Sequence, residues 1–308
     1  MCIRDSTLRV ALCQFHVTPD KEANHKTAVD YVDRAAAQGA QLVVLPEIWN
    51  SPYATSAFAE YAELVPAMGD TSVDAVTSPS SAVLQERAKQ HQLWIVGGSI
   101  PEKTLDGQDQ IFNTCLVYDP SGKVVAKHRK VHLFDIDVPG GITFKESDTL
   151  SPGNTLTTFS LQPVVDCDVG VGICYDIRFA LQAMLMCQSN NNKCKLLIYP
   201  GAFNLTTGPA HWELLQRARA LDNQCYVATA SPARTAPPPE GQEGKYPHYT
   251  AWGHSTVVSP WGDVVTKADE KEALIVCDLD LGRVDEVRTS IPILQQKRDD
   301  LYKLDKVS

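Results

Sequence analysis

The chain has 308 residues, 44% apolar and 21% charged, with a mean hydropathy of −0.18 and a formal net charge of −9. These values describe a soluble globular protein with ample core, and the acidic balance argues against nucleic acid or an anionic membrane surface as the main partner. Nine scattered cysteines without a secretory leader point to a reducing compartment; no C-x-x-C or H-E-x-x-H marks a metal site, and no apolar run reaches the roughly 18 residues of a membrane span.

Residues 1–6 read as an unstructured extension and residues 7–308 as one domain. Residues 8–15 form a strand pattern and about 21–38 a helix stopped by Gly39. Residues 41–45 are a short buried strand ending at Pro46 and Glu47. A second helix over about 80–90 leads into a strand at 93–96. Residues 112–118 and 123–130 predict a hairpin around Asp119-Pro-Ser-Gly122. An apolar strand pattern from Val169 then gives way at Cys174 to a helical pattern reaching about Gln188. Further on come a strand at 195–199, a helix over about 210–223 and a strand at 225–229. A second hairpin (254–258 and 263–265) turns at Ser259-Pro-Trp-Gly262, and 273–277 is a last strand. Helices alternating with strands and hairpins predict mixed sheets covered by helices, an α/β architecture. No linker divides the chain, and the Pro-rich stretch 236–244 reads as a surface loop.

Cys174 carries the most information. At the end of a buried strand and the start of a helix, its sulfur lies near the positive end of the helix dipole. A free thiol with a pKa of about 8.5 is mostly protonated at pH 7, so it becomes a nucleophile only with a base or cation beside it. The other reading is an inert core thiol. Glu47 and Lys130 also end strand patterns, and ligands of α/β sheets bind beyond strand ends, where such residues can converge. Taken singly, Glu47 also fits a solvated loop acid and Lys130 one of several bases in 127–130. A papain-like site would pair Cys174 with His211 or His254 instead, and a binding module with a dead pocket would carry an altered triad.

Leu45-Pro-Glu47, His128-Arg-Lys-Val-His-Leu-Phe134 and Gly172-Ile-Cys-Tyr-Asp-Ile-Arg-Phe179 resemble the motifs of the nitrilase superfamily of carbon–nitrogen hydrolases, whose members use a Glu-Lys-Cys triad. Stretches 139–147 with 150–153, 202–213, 228–234 and 251–258 resemble its omega-amidase branch, and the resemblance spans about residues 8–302. It implies a four-layer αββα sandwich of two mixed sheets. Cys174 would attack an amide through a thioester and Glu47 would shuttle the protons. Lys130 and the backbone N–H of Tyr175 would stabilise the oxyanion, with Glu146 a second carboxylate holding Lys130 charged.

The branch implies as substrate the terminal amide of a 2-oxo dicarboxylate, 2-oxoglutaramate or 2-oxosuccinamate, with no cofactor or metal. Arg178 is the candidate partner of the far carboxylate, unless it pairs structurally with an acid such as Asp176. Tyr53, Phe203, Thr206 and Thr207 stand at pocket-wall positions of the family. The alternatives within the superfamily are another amidase, for example one acting on a deaminated peptide, and a true nitrilase. The family further implies a homodimer across the helical layer after the nucleophile, where Leu181, Met184 and Leu185 are apolar. A cytoplasmic location is expected, with a mitochondrial pool also open. Loop 236–248 looks longer than usual for the branch.

Overall fold

The computed structural model describes residues 7–105, 109–140, 143–188 and 194–305; the expected extension at 1–6 lies outside them. The first half of the chain runs β1 (Thr7–Gln14), α1 (Lys21–Ala37), β2 (Leu42–Val44), α2 (Thr55–Tyr61), α3 (Pro79–His91), β3 (Trp94–Val96), β4 (Ile100–Lys103), β5 (Ile111–Tyr118) and β6 (Val124–Arg129). A small hairpin, β7 (Asp135–Asp137) and β8 (Thr143–Lys145), precedes a 3-10 turn at Glu146–Asp148. The second half runs β9 (Thr157–Ser160), β10 (Asp168–Val171), a 3-10 helix at Cys174–Arg178, α4 (Ala180–Gln188), β11 (Leu196–Pro200), α5 (Gly208–Asn223), β12 (Tyr226–Ala230), β13 (Thr256–Val258), β14 (Val264–Lys267), β15 (Ala273–Asp280), α6 (Gly282–Ser290) and α7 (Ile293–Gln296).

Two mixed sheets result. The first has seven strands in the order β15-β1-β2-β3-β5-β4, with β6 on β5; the second has six in the order β14-β13-β12-β11-β10-β9. In each, three successive strands are parallel (β1, β2, β3 and β10, β11, β12) and the outer ones antiparallel. The period-two alternation of β1 shows the layering. Val10 and Leu12 join the core shared with Val169, Val171, Ile198 and Val227 of the second sheet, whereas Ala11 and Cys13 pack under α1 with Ala28, Val32 and Ala35. Helices α4 and α5 cover the other sheet, which completes the αββα order.

Helix α1 starts where the Asp20 side chain accepts the Ala23 N–H at 3.0 Å and ends where Gly39 takes φ +75°. The chain then drops directly into β2, so that Glu47 emerges at the sheet end. Several elements went unforeseen. Helix α2 has seven residues and no side-chain cap, and β7 and β8 have three residues each, too short for a periodic signature. The expected helix from Cys174 is broken: a five-residue 3-10 helix comes first and α4 begins only at Ala180. Cys174 therefore does not sit on the N-terminus of an α-helix, and the dipole argument for its activation falls away.

Candidate active site

Glu47, Lys130 and Cys174 meet where the two sheets abut. Glu47 follows β2, Lys130 comes one residue after β6 where the expected hairpin strand includes it, and Cys174 follows β10. All three are buried, at 0%, 1% and 5% exposure. Lys130 Nζ donates to Glu47 Oε1 at 3.1 Å and to Glu146 at 2.9 Å. Glu146 also accepts the Tyr53 hydroxyl at 2.8 Å and the Phe134 N–H at 2.7 Å. Glu47 Oε1 takes further donors from Asn113 Nδ2 at 2.9 Å and Tyr53 at 3.4 Å, and its Oε2 takes the Ala202 N–H at 2.8 Å. Glu47 and the Ala202 backbone are among the groups that act on the Cys174 thiol.

Backbone strain marks both strand ends. Cys174 holds φ +46° and Ile48, next to the base, φ +50°, a left-handed conformation that a β-branched side chain rarely takes. The approach to Cys174 is tight: a Cβ on Gly172 would fall 2.6 Å from the Tyr199 ring, so only glycine passes there. Beneath the turn, Asp176 accepts from the Ile173 N–H at 2.9 Å, His128 Nε2 at 3.0 Å, His132 Nδ1 at 2.7 Å and the His132 N–H at 3.0 Å. Burial pushes the Asp176 carboxyl up, but these donors outweigh it and hold the group well below the usual carboxylate range.

The electrostatics place a protonated thiol beside two carboxylates and an ammonium. Burial raises the Cys174 thiol well above its ordinary value, Glu47 raises it further, and Lys130 only partly opposes them. Burial also raises Glu47, with Lys130 pulling it back. For Lys130, burial alone would lower the ammonium, yet Glu146 and Glu47 more than reverse this and keep it protonated.

A cavity of about 500 Å³ opens from Glu47, Tyr53 and Ala202 outward between α2 and the segment 232–249, with Tyr61, Tyr246 and Tyr249 on its walls. Tyr53 and Tyr249 stack at 4.5 Å, and the Tyr249 hydroxyl donates to the Ala202 carbonyl. Tyr53 is the one proposed pocket wall that lines this cavity. Phe203 is buried against Trp212, and Thr206 and Thr207 give their N–H groups to Asn204 Oδ1 at 3.0 Å in the turn leading into α5. Arg178 lies outside the cavity lining, its guanidinium 4.9 Å from the Phe203 ring, with Nη1 3.3 Å from His211 Nδ1. It does not pair with Asp176, whose partners are the two histidines, and among the described residues it forms no ion pair. The groups acting most strongly on the Cys174 thiol include no histidine. His211 is engaged with Arg178, and His254 Nδ1 lies 3.1 Å from the Ala268 carbonyl, so the papain-like pairing is not assembled.

A family model for carbon–nitrogen hydrolases matches residues 9–289. The chain belongs to the carbon–nitrogen hydrolase family. It is 52% identical over 297 residues to the omega-amidase NIT2 of Mus musculus, covering 96% of this chain and 97% of that protein. The omega-amidase NIT2 of Homo sapiens is 50% identical with the same coverage. Among solved structures, Saccharomyces cerevisiae Nit3, a member of branch 10 of the nitrilase superfamily, matches with a TM-score of 0.79 at 40% identity, covering 95% of this chain and 97% of that one. The Caenorhabditis elegans NitFhit protein matches with a TM-score of 0.80 at 30% identity, over 98% of this chain and 68% of that one.

Sequence reasoning missed Asn113, the Ala202 N–H, the Tyr249 wall and the Asp176–histidine cluster. Asn113 lies inside a strand pattern, where a buried polar residue was the one available signal. Ala202 contributes only backbone, which no side-chain motif reveals.

Proposed function

We propose that this protein is an omega-amidase that hydrolyses the terminal amide of 2-oxo dicarboxylate monoamides, such as 2-oxoglutaramate and 2-oxosuccinamate, to the 2-oxo acid and ammonia. The observation that carries the chemistry is the buried Lys130 bridging Glu47 and Glu146 beside a strained Cys174. Near 50% identity over almost the whole length to proteins named omega-amidase supports the substrate class.

Cys174 Sγ attacks the amide carbon as its proton passes to Glu47. The carbonyl electrons collect on oxygen, which Lys130 and the Tyr175 N–H stabilise; Tyr175 stands in the first turn of the 3-10 helix, where backbone donors lack intrahelical partners. Glu47 returns the proton to nitrogen, the C–N bond breaks and ammonia leaves the thioester. Water then loses a proton to Glu47, its oxygen bonds to the acyl carbon, and the proton goes back to the departing Cys174 sulfur. Glu146 keeps Lys130 between two carboxylates throughout. Arg178, without a carboxylate partner among the described residues, is the cation assigned to the far carboxylate although it lies outside the cavity lining, and Tyr53, which lines the cavity, flanks the acyl chain.

Leu181 is 62% exposed, and Met184 and Leu185 share its outward side of α4 while Gln182, Ala183, Met186 and Cys187 are buried; this apolar face supports a homodimer across the α4–α5 layer. The eight described cysteines are free, which fits a reducing, cytoplasmic setting. Ammonia release from a panel of ω-amides, neutral amides, deaminated-peptide amides and nitriles tests the assignment. Keto-acid amides should be turned over best; a nitrile or a deaminated peptide as the best substrate would overturn it.

A further inference from the structure

We propose that Asn113 is a positioning residue for the general base, its side-chain amide holding the Glu47 carboxylate in its proton-accepting orientation while its backbone seats Lys130. The inference rests on Glu47 being the base. Asn113 lies in β5, paired with Pro101 of β4, and is wholly buried. Its Nδ2 donates to Glu47 Oε1 at 2.9 Å, and its carbonyl accepts the Lys130 N–H at 2.8 Å. One residue thus ties together two members of a triad that lie far apart in sequence.

The other end of the same side chain shows that folding is not what the amide serves. Asn113 Oδ1 is buried without a hydrogen-bond partner, an arrangement that costs free energy and that a leucine of similar volume would avoid. What asparagine adds over leucine is the Nδ2–H on the carboxylate. The remaining groups that face Glu47 are Lys130 after β6, Glu146 in the 3-10 turn, Tyr53 before α2, Tyr249 from the outer wall, Cys174 after β10 and the Ala202 N–H after β11. The side chains among them all carry an ionisable group, which Asn113 does not. Its neutral amide therefore gives Glu47 Oε1 a donor whose charge is the same at every pH. A donor to the ionised form favours that form, which opposes the effect of burial on the base.

Asn113→Leu should keep or raise Tm, lower kcat about 10- to 100-fold, leave KM within about threefold, and move the acid limb of kcat/KM about one unit to higher pH. Asn113→Asp keeps the shape and places an anion against Glu47, so it should shift the limb further in the same direction. The second measurement needs no substrate: the pH dependence of Cys174 alkylation by iodoacetamide, read from the mass of the Cys174 peptide. Its acid limb should move upward in both variants. An unchanged alkylation profile, or a kcat loss that appears only together with a matching loss of Tm, overturns the positioning role. If the wild-type protein releases no ammonia from any ω-amide, the substrate assignment falls, and the alkylation profile still decides the role of Asn113.

Discussion

The floor of the site and the outer wall of its cavity are built in opposite ways. On the floor, Glu47, Asn113, Lys130 and Glu146 are at most 1% exposed, and both carboxylates have both oxygens occupied by donors. On the wall, residues 235–249 are mostly exposed and tied down at the surface, where Lys245 and the Tyr246 hydroxyl both reach Glu60 and Tyr246 meets Tyr61 edge-on at 6.0 Å. Proton transfer demands donors and acceptors fixed to a few tenths of an ångström, which only a crowded, desolvated floor can hold. A wall that substrate must pass can rely on solvated contacts that are weak and easily exchanged.

The sharpest way to break that contrast is at Cys174, the proposed nucleophile. Cys174→Ala should lower turnover by about 10⁴-fold or more, whereas Ser in place of Cys13, Cys115, Cys167, Cys187, Cys194, Cys225 or Cys277 should leave turnover largely intact; acyl mass trapped on Cys174 alone is the corresponding spectrometric result. Next comes Lys130→Met. It removes the proposed oxyanion cation, at an expected cost of about 10²- to 10³-fold in kcat. It also leaves Glu47 and Glu146 buried without a counter-charge, which should cost about 3–5 kcal/mol in urea unfolding.

A third test separates stability from chemistry. The folded-state pKa of Asp176 is depressed, so its contribution to stability is complete above the unfolded value and is lost as pH falls through the folded one. Asp176→Asn should therefore be markedly destabilised at pH 7 and lose less further stability than wild type between about pH 4 and pH 2, read from Tm against pH. If the two proteins lose stability in parallel, the anion beneath the nucleophile turn is not the group that titrates. The smallest effects belong to the wall. Glu60→Gln and Lys245→Ala should change KM by less than about threefold and leave Tm where it was. A kcat loss as large as that of Lys130→Met would erase the distinction between wall and floor.

Much of the floor was legible because each chemical residue ends a run of apolar residues. Leu42-Val-Val-Leu45 delivers Glu47, the second strand of a Gly122-turned hairpin delivers Lys130, and Val169-Gly-Val171 delivers Cys174. Strand periodicity and turn chemistry are local, so they fix where a side chain emerges from a sheet. The helix dipole expected at Cys174 failed for a reason equally local in appearance but tertiary in origin. The Asp176 carboxylate, held by histidines 48 and 44 residues away, organises residues 173–178 as a 3-10 turn in place of an α-helical start.

By itself, then, the sequence determined the order of the longer strands and helices, the αββα layering implied by the family motifs, and the placing of Glu47, Lys130 and Cys174 at three strand ends. Only the tertiary structure decided that β15 returns to pair with β1, that Asn113 and the Ala202 N–H complete the carboxylate's donors, that Arg178 lies apart from the cavity lining, and that the Pro-rich segment forms the cavity wall. The reason is range. Periodicity, caps and turns act over a few residues, whereas a backbone donor 155 residues from its acceptor, or a cavity between a helix and a loop, exists only once both sheets have packed.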